Sequence, residues 1–429
     1  MGSGIFFGKK EYLAPPFEKE KMKKIIDYLN SNRNNIIEFT KDLIGISTVN
    51  PPGKNYDKLV RLVERECKAA GLRTKRYAVP TSYLREKGIT EGAERINLIA
   101  DWNTNSKKTL HITCHYDVVP ATGNWKTPPF RPVVNKGRIY GRGAEDMKGN
   151  IASVIFAIKA LKVNNLAPRV NVQLSFCPDE ETGGATGFGW LVKKGLIKAD
   201  YAISEGYSGE WVACGNKGVA WFDIEVFGKS AHASSPYRGI NSFEKMVKVA
   251  SALFDLKKRI EKKKTKFVTR NKLDKAATLV MGGELKGGLK VNTVPDLSVF
   301  SIDRRLLPEE TMGEAIKEIK NVISDLKKKD KDLRVNVKLR SGNNAVTSGT
   351  DNALFQAFKR AAIKVKNKRV KEAILSGATD LRFLIVKGVP CLGYSAKGGE
   401  KWHSDNEYVI VKSLIETSQI LSHTILYLS

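Results

Sequence analysis

The chain has 429 residues, more than one ordinary hydrophobic core holds, so two domains are expected. Hydrophobic residues make up 41% of it, enough to bury an interior, which excludes a disordered chain. Lysine and arginine number 73 against 45 acids, a formal charge of +28, which points either to an acidic partner or to a broadly solvated basic surface.

The apolar runs, such as 154–158, are too short to span a bilayer, so no membrane role is expected. The first ten residues show no apolar signal region, and Phe6 occupies the position where a myristoylation pattern needs Ser or Thr. The five cysteines, Cys67, Cys114, Cys177, Cys214 and Cys391, are scattered and form no C-x-x-C pair. That argues against a disulfide framework or a thiolate zinc site and makes a cytoplasmic protein the simplest reading.

In chain order, apolar residues recur at helical spacing over 20–46, with a polar interruption at 30–35. A loop over 47–53 leads to a helix over 56–70. Short apolar runs at 97–100, 110–114, 170–177 and 201–204 then alternate with helical patterns at 150–163 and near 189–194. That alternation predicts an α/β sheet, largely parallel, with helices on both faces. From 219 the order becomes strand 219–227, helix 240–258, strands 277–281 and 297–304, helix 311–328 and strand 333–338. This order predicts an inserted ferredoxin-like α+β module. A helix over 352–365, an apolar run at 389–394 and a last helix from 409 return the chain to the first domain. The expected division is therefore 1–216, 217–340 and 341–429.

The basic excess peaks over 257–275, with ten Lys or Arg against Glu261 and Asp274. No aromatic interleaving accompanies it, so a solvated helix face and loop is the preferred reading, and nucleic acid is not an expected partner.

Two of the five histidines sit in chemically suggestive places. His115 ends an apolar run and forms His-x-Asp with Asp117, whose carboxylate would orient the imidazole's second nitrogen. His403 lies in a polar loop, 398–406. Between them come Asp146 after a glycine-rich turn, the pair Glu180-Glu181, and Glu205. Asp146 is placed either to bridge metals or simply to favour a helix N-terminus. The adjacent glutamates read either as one metal-binding and one proton-handling carboxylate or as a simple exposed acidic pair. His115, Glu180, Glu181 and Glu205 all fall at or just after predicted strand C-termini, where open α/β sheets gather ligands. Imidazoles with several carboxylates are the donors of a hydrolytic zinc-type site. His111 reads as a strand-interior residue and His423 as structural or exposed; neither is given a role.

Taken together, His115-x-Asp117, Gly141-Arg-Gly-x-x-Asp146-Met-Lys-Gly149, Asp179-Glu-Glu181-x-Gly183, Glu205, Gly228-Lys-x-x-His232-x-x-x-Pro236 and His403 resemble a known family. It comprises the acetylornithine deacetylases, succinyl-diaminopimelate desuccinylases, aminoacylases and related carboxypeptidases, which are dinuclear zinc hydrolases. The likeness runs from about Ser47 to the end of the chain. It implies a zinc-peptidase-like mixed, mostly parallel sheet with helices on both faces, carrying an inserted lid.

The resemblance also implies roles. His115 and Glu205 would hold one divalent metal ion, Glu181 and His403 a second, and Asp146 both, with zinc expected and cobalt the alternative. Glu180 would be the general base acting on a metal-bridging water, and Asp117 the partner of His115. His232 would stabilise the oxyanion, often from the other subunit of a homodimer formed through the lid. Asn292 and Arg305 would hold the substrate carboxylate, and Thr379 would line the pocket. The implied substrate is an N-acylated amino acid or short peptide, with a di- or exopeptidase as the competing activity; a basic binding protein for an acidic partner is the reading from another class. One departure concerns the lid entrance, where desuccinylase relatives carry an Arg-Arg-Gly type sequence and this chain has Asn216-Lys-Gly218.

Overall fold

The computed structural model describes residues 16–429, so the N-terminal signal and myristoylation readings lie outside the described residues. Nine strands form the large sheet, in the spatial order 73–78, 96–102, 171–177, 109–115, 201–207, 391–394, 211–216 and 346–347, with 371–375 also pairing with 211–216. Parallel pairing is concentrated in the middle four strands, Asn171–Cys177, Thr109–His115, Tyr201–Tyr207 and Cys391–Tyr394. Arg73–Ala78 and Ile96–Trp102 add antiparallel pairs on one side, and Trp211–Asn216 adds one on the other.

Strand alternation sends side chains to two separate interiors. Leu98, Ala100, Leu110, Ile112 and Cys114 join the main core beneath the long helices. Ile99, Cys177, Ala202 and Cys391 point the other way, to the short helices Thr81–Glu86, Phe188–Lys193 and Arg382–Ile385. The helix Gly149–Val163 is buried along nearly its whole length, packed against Arg33–Gly45 and Val411–Tyr427. Its sequence is accordingly apolar on every side, as a helix without a water-facing stripe requires.

The inserted module forms as expected. Its four antiparallel strands lie in the order Thr278–Gly287, Leu297–Leu306, Gly218–Phe227 and Arg334–Asn343. That is the ferredoxin-like arrangement, and the helices Ser242–Ile260 and Met312–Lys329 cover one face. Phe222, Phe300, Ile302, Leu253 and Ile319 make a core separate from that of the large sheet. The basic stretch after the first module helix is partly neutralised, with Lys257 on Glu261 at 2.6 Å and Lys263 on Glu310 at 2.8 Å. Some expected boundaries move: the strands expected at 277–281 and 333–338 run on to Gly287 and Asn343, residues Tyr408–Ile410 form a short strand, and the last helix is Val411–Tyr427.

Candidate metal centre

The central strands deliver their last residues to one end of the sheet. His115 closes its strand and is almost wholly buried. The next parallel strand ends at Cys177, and a single 3-10 turn, Glu180–Thr182, follows it. Glu205 lies inside Tyr201–Tyr207, on the other side of the His115 strand. Asp146 comes from a tight turn before the buried helix, entered through Gly143 at φ +80°. A Cβ on Gly143 would lie 2.6 Å from Val118 Cγ1, so both the dihedral and the space require glycine there.

These side chains converge with His403. His115 Nε2 is 3.0 Å from Asp146 Oδ1 and 2.9 Å from Glu205 Oε2. His403 Nε2 is 3.0 Å from Glu181 Oε2 and 3.5 Å from Asp146 Oδ2. Asp146 thus offers one oxygen to each imidazole. Potential donor atoms of His115, Glu180 and Glu205, and of His115, Asp146 and Glu181, lie within 4.8 Å of one another.

The electrostatics match a cation site. Burial would lower the His115 pKa, but the charge of Glu205 and hydrogen bonds to Asp117, Asp146 and Glu205 drive it well up. Hydrogen bonds to Asp146 and Glu181 push His403 up to about 10. Burial, then the charge of Asp146, raises Glu181 to about 7. Burial, then the charge of Glu205, drives Glu180 well above the usual carboxylate range. Such a crowd of half-buried carboxylates is held together by protons or by a cation, and two imidazoles with four carboxylates are the nitrogen and oxygen donors that zinc-type ions take. The residues fit the group.

Asp117 sits close, but its role is divided. His115 Nδ1 is 3.0 Å from the Asp117 backbone carbonyl and 3.5 Å from its carboxylate. The carboxylate accepts the backbone N–H groups of Glu180 at 3.2 Å and Glu181 at 3.3 Å, and Asn50 Nδ2 at 3.0 Å. It therefore fixes the turn that presents both glutamates.

The remaining expected residues divide into two places. Thr379 is buried, and its carbonyl accepts Arg382 Nη1 at 2.6 Å. His232 and Asn292 are neighbours on the inserted module, where the strand Ala231–His232 pairs with Thr293–Val294. His232 is exposed, with Nδ1 2.8 Å from Ser234 Oγ. Arg305 is forked onto Asp303 at 2.8 and 2.9 Å. Among the described residues, no hydrogen bond or ion pair joins His232, Asn292 or Arg305 to the cluster. His111 is buried between Gln173 at 3.1 Å and Ser175 at 2.9 Å, and His423 is buried in the last helix.

Several supporting residues had no role assigned from the sequence. Glu407 accepts the N–H groups of Gly143, Glu145 and Asp146 and pairs with buried Arg142 at 2.7 Å. Glu145 accepts the N–H groups of Gly398 and Glu400 in the His403 loop. Asp179 receives Arg95, Asn50, Tyr56 and Thr186 behind the glutamate turn. The available hint was an acid four residues after His403 and another beside Asp146.

Comparison with known proteins agrees with this arrangement. The model of peptidase family M20/M25/M40 matches residues 111–427. An uncharacterized metallohydrolase of Methanocaldococcus jannaschii is 28% identical over 408 residues, covering 90% of this chain and 97% of that one. Aminoacylase-1 of Mus musculus is 25% identical over 366 residues, 83% of this chain and 85% of its own. Human carnosine dipeptidase 1 shares the fold with a TM-score of 0.75 at 18% identity, covering 95% of this chain and 98% of that chain. With a family match over most of its length and the donor cluster in place, the chain belongs to peptidase family M20/M25/M40 and is a metallohydrolase of amide or peptide bonds.

Proposed function

We propose that the protein removes the acyl group from an N-acylated amino acid. Asp146 set between His115 and His403, with Glu180 beside them as a carboxylate that pairs with neither imidazole, supports metal-assisted amide hydrolysis, and the likeness to aminoacylase-1 favours an acylated amino acid as the substrate. His115 and Glu205 would hold one divalent ion, Glu181 and His403 a second, and Asp146 both. Zinc is the expected metal and cobalt the alternative. Such ions, when bound, supply Lewis acidity toward the scissile carbonyl and acidify water.

Glu180 takes a proton from the attacking water and returns it to the leaving nitrogen, a role that needs a carboxylate free of ligand duty. Asp117 keeps Glu180 and Glu181 in register through their backbone N–H groups. His232 donates to the developing oxyanion, which requires the inserted module to close or a partner copy to reach across. Asn292 and Arg305 hold the free carboxylate, and Thr379 lines the pocket.

A homodimer through the inserted module accompanies this reading. Phe243, Val247 and Phe254 are exposed on its first helix, and Val280 and Leu285 on its edge strand, an apolar surface suited to burial against a second copy. The domain limits are taken as 1–216, 217–340 and 341–429. We take the location as cytoplasmic, from scattered cysteines that are all unpaired. Separately, no helix among the described residues is long and apolar enough to cross a membrane.

The test is amine release from N-acetyl, N-succinyl and N-formyl amino acids and from dipeptides, with zinc, cobalt or chelator. Metal-dependent release from the acylated amino acids supports the proposal. Release from dipeptides alone replaces it with the peptidase reading.

A further inference from the structure

The 3-10 turn Glu180–Thr182 is gripped from two directions. Asp117 holds its amide side, as described, and Arg382 holds its exit. The Arg382 guanidinium, 8% exposed, donates Nη2 to the Gly183 carbonyl at 2.6 Å and Nη1 to the Thr379 carbonyl at 2.6 Å. Gly183 N in turn donates to the Glu180 carbonyl at 2.8 Å, so the clamp connects directly to Glu180. Asp380 lies 3.8 Å from Nη1, and its Oδ1 is buried without a hydrogen-bond partner among the described residues. Its carboxyl is the acidic neighbour of the guanidinium.

The surrounding packing is built for this contact. Gly184 adopts φ +65°, and a Cβ there would fall 2.1 Å from Asp380 Oδ1. A Cβ on Gly189 would meet Phe383 at 2.6 Å. The two segments approach so closely that glycine is required at both points. One planar guanidinium then joins a segment from late in the chain to the turn bearing two of the candidate glutamates.

We propose that Arg382 is a positioning residue for the reaction. It fixes the Glu180-Glu181 turn against the Thr379 segment, so that the base, a metal-binding carboxylate and the pocket wall share one frame. The proposal rests on the metal-centre reading above. A lysine cannot replace it, because a single ammonium on a flexible stem does not fork two carbonyls in a fixed plane.

The test is visible-absorption titration of the full-length, metal-depleted protein with cobalt(II) alone, for the wild type and Arg382→Lys. Ile319→Ala, in the core of the inserted module, serves as a control for general destabilisation. The expected result is cobalt affinity about 10- to 100-fold weaker, with a changed absorption envelope, in Arg382→Lys but not in Ile319→Ala. If the wild type turns over a substrate from the panel, kcat of metal-saturated Arg382→Lys is expected to fall more than KM rises. Cobalt affinity and spectrum within twofold of wild type overturn the positioning role and leave the metal centre standing. If Arg382→Lys does not fold, Arg382→Gln, which keeps one donor, takes its place with the same two outcomes. A wild type that binds no cobalt overturns the metal-centre reading, and this proposal with it.

Discussion

Glu145 and Glu407 each hold the loop that carries the other. Glu407 accepts the N–H groups of Glu145 at 2.8 Å and Asp146 at 3.1 Å, while Glu145 accepts those of Gly398 at 2.9 Å and Glu400 at 3.3 Å. Asp146 and His403 are thereby brought together by two carboxylates that touch neither imidazole. Glu407 also balances the buried charge of Arg142. Glu407→Ala is therefore expected to lower stability by about 3–5 kcal/mol, because it leaves that guanidinium uncompensated. Chemical denaturation with and without metal checks this, and a loss under about 1 kcal/mol contradicts the clasp.

Glu180 is assigned to protons and not to holding metal. Glu180→Gln is expected to reduce turnover by about 10²–10⁴-fold while bound metal, measured by elemental analysis, stays at the wild-type level. Near-normal turnover sinks the base assignment.

Metal loading is expected to expel protons. The hydrogen bonds that His403 donates to Asp146 and Glu181 raise it to about 10 and keep it protonated near pH 7, and burial raises Glu181 to about 7, so it also binds protons in that range. A cation needs both groups deprotonated, so affinity rises with pH and weakens as pH falls through these values. Calorimetric titration in buffers of different ionisation enthalpy measures the release. Zero proton exchange contradicts the coordination proposed for His403 and Glu181. Chelation should also lower the melting temperature, since a ligand at 100 times its Kd contributes about 2.7 kcal/mol.

Two histidines away from the proposed ligands give the fold its own acid sensitivity. Burial lowers His111 to about 3 and His423 to about 4, from an ordinary 6.5. Below pH 6.5 the unfolded chain takes up protons that the folded chain refuses, so stability falls as pH drops from 6.5 toward these values. Each site contributes a slope of up to about 1.4 kcal/mol per pH unit. The two ring nitrogens of His423 have no hydrogen-bond partner among the described residues. His423→Phe should flatten part of the slope with little loss at pH 8, as unfolding curves across this range would show. An unchanged slope argues against this account.

The sequence revealed residues whose position follows from local pattern. His115, Glu180 and Glu181 could be placed because each lies where an apolar strand runs out, and the inserted module because its strand and helix periods alternate cleanly. Arg73–Ala78 was missed because it is a sheet-edge strand, mostly polar, with little to separate it from a loop. Lys371–Leu375 is short and joins the sheet mainly through Trp211–Asn216. Glu145, Glu407 and Arg382 act on backbone atoms, and a backbone N–H or carbonyl leaves no residue type to recognise. The basic stretch read as solvated carries a longer-range surprise: Phe267 packs against the main core, and the Val268 carbonyl accepts Ile374 N at 2.9 Å.

The mutual grip of the 143–146 turn and the 398–407 loop also bears on how the protein is made. Synthesis produces His115, Asp146, Glu181 and Glu205 first, then a module with its own core, and His403 and Glu407 only afterwards. Until that last stretch emerges, the N–H groups around Asp146 lack the carboxylate that receives them. A nascent chain accordingly holds an unfinished cage, and the hydrolytic centre closes only once the loop made late in synthesis has docked.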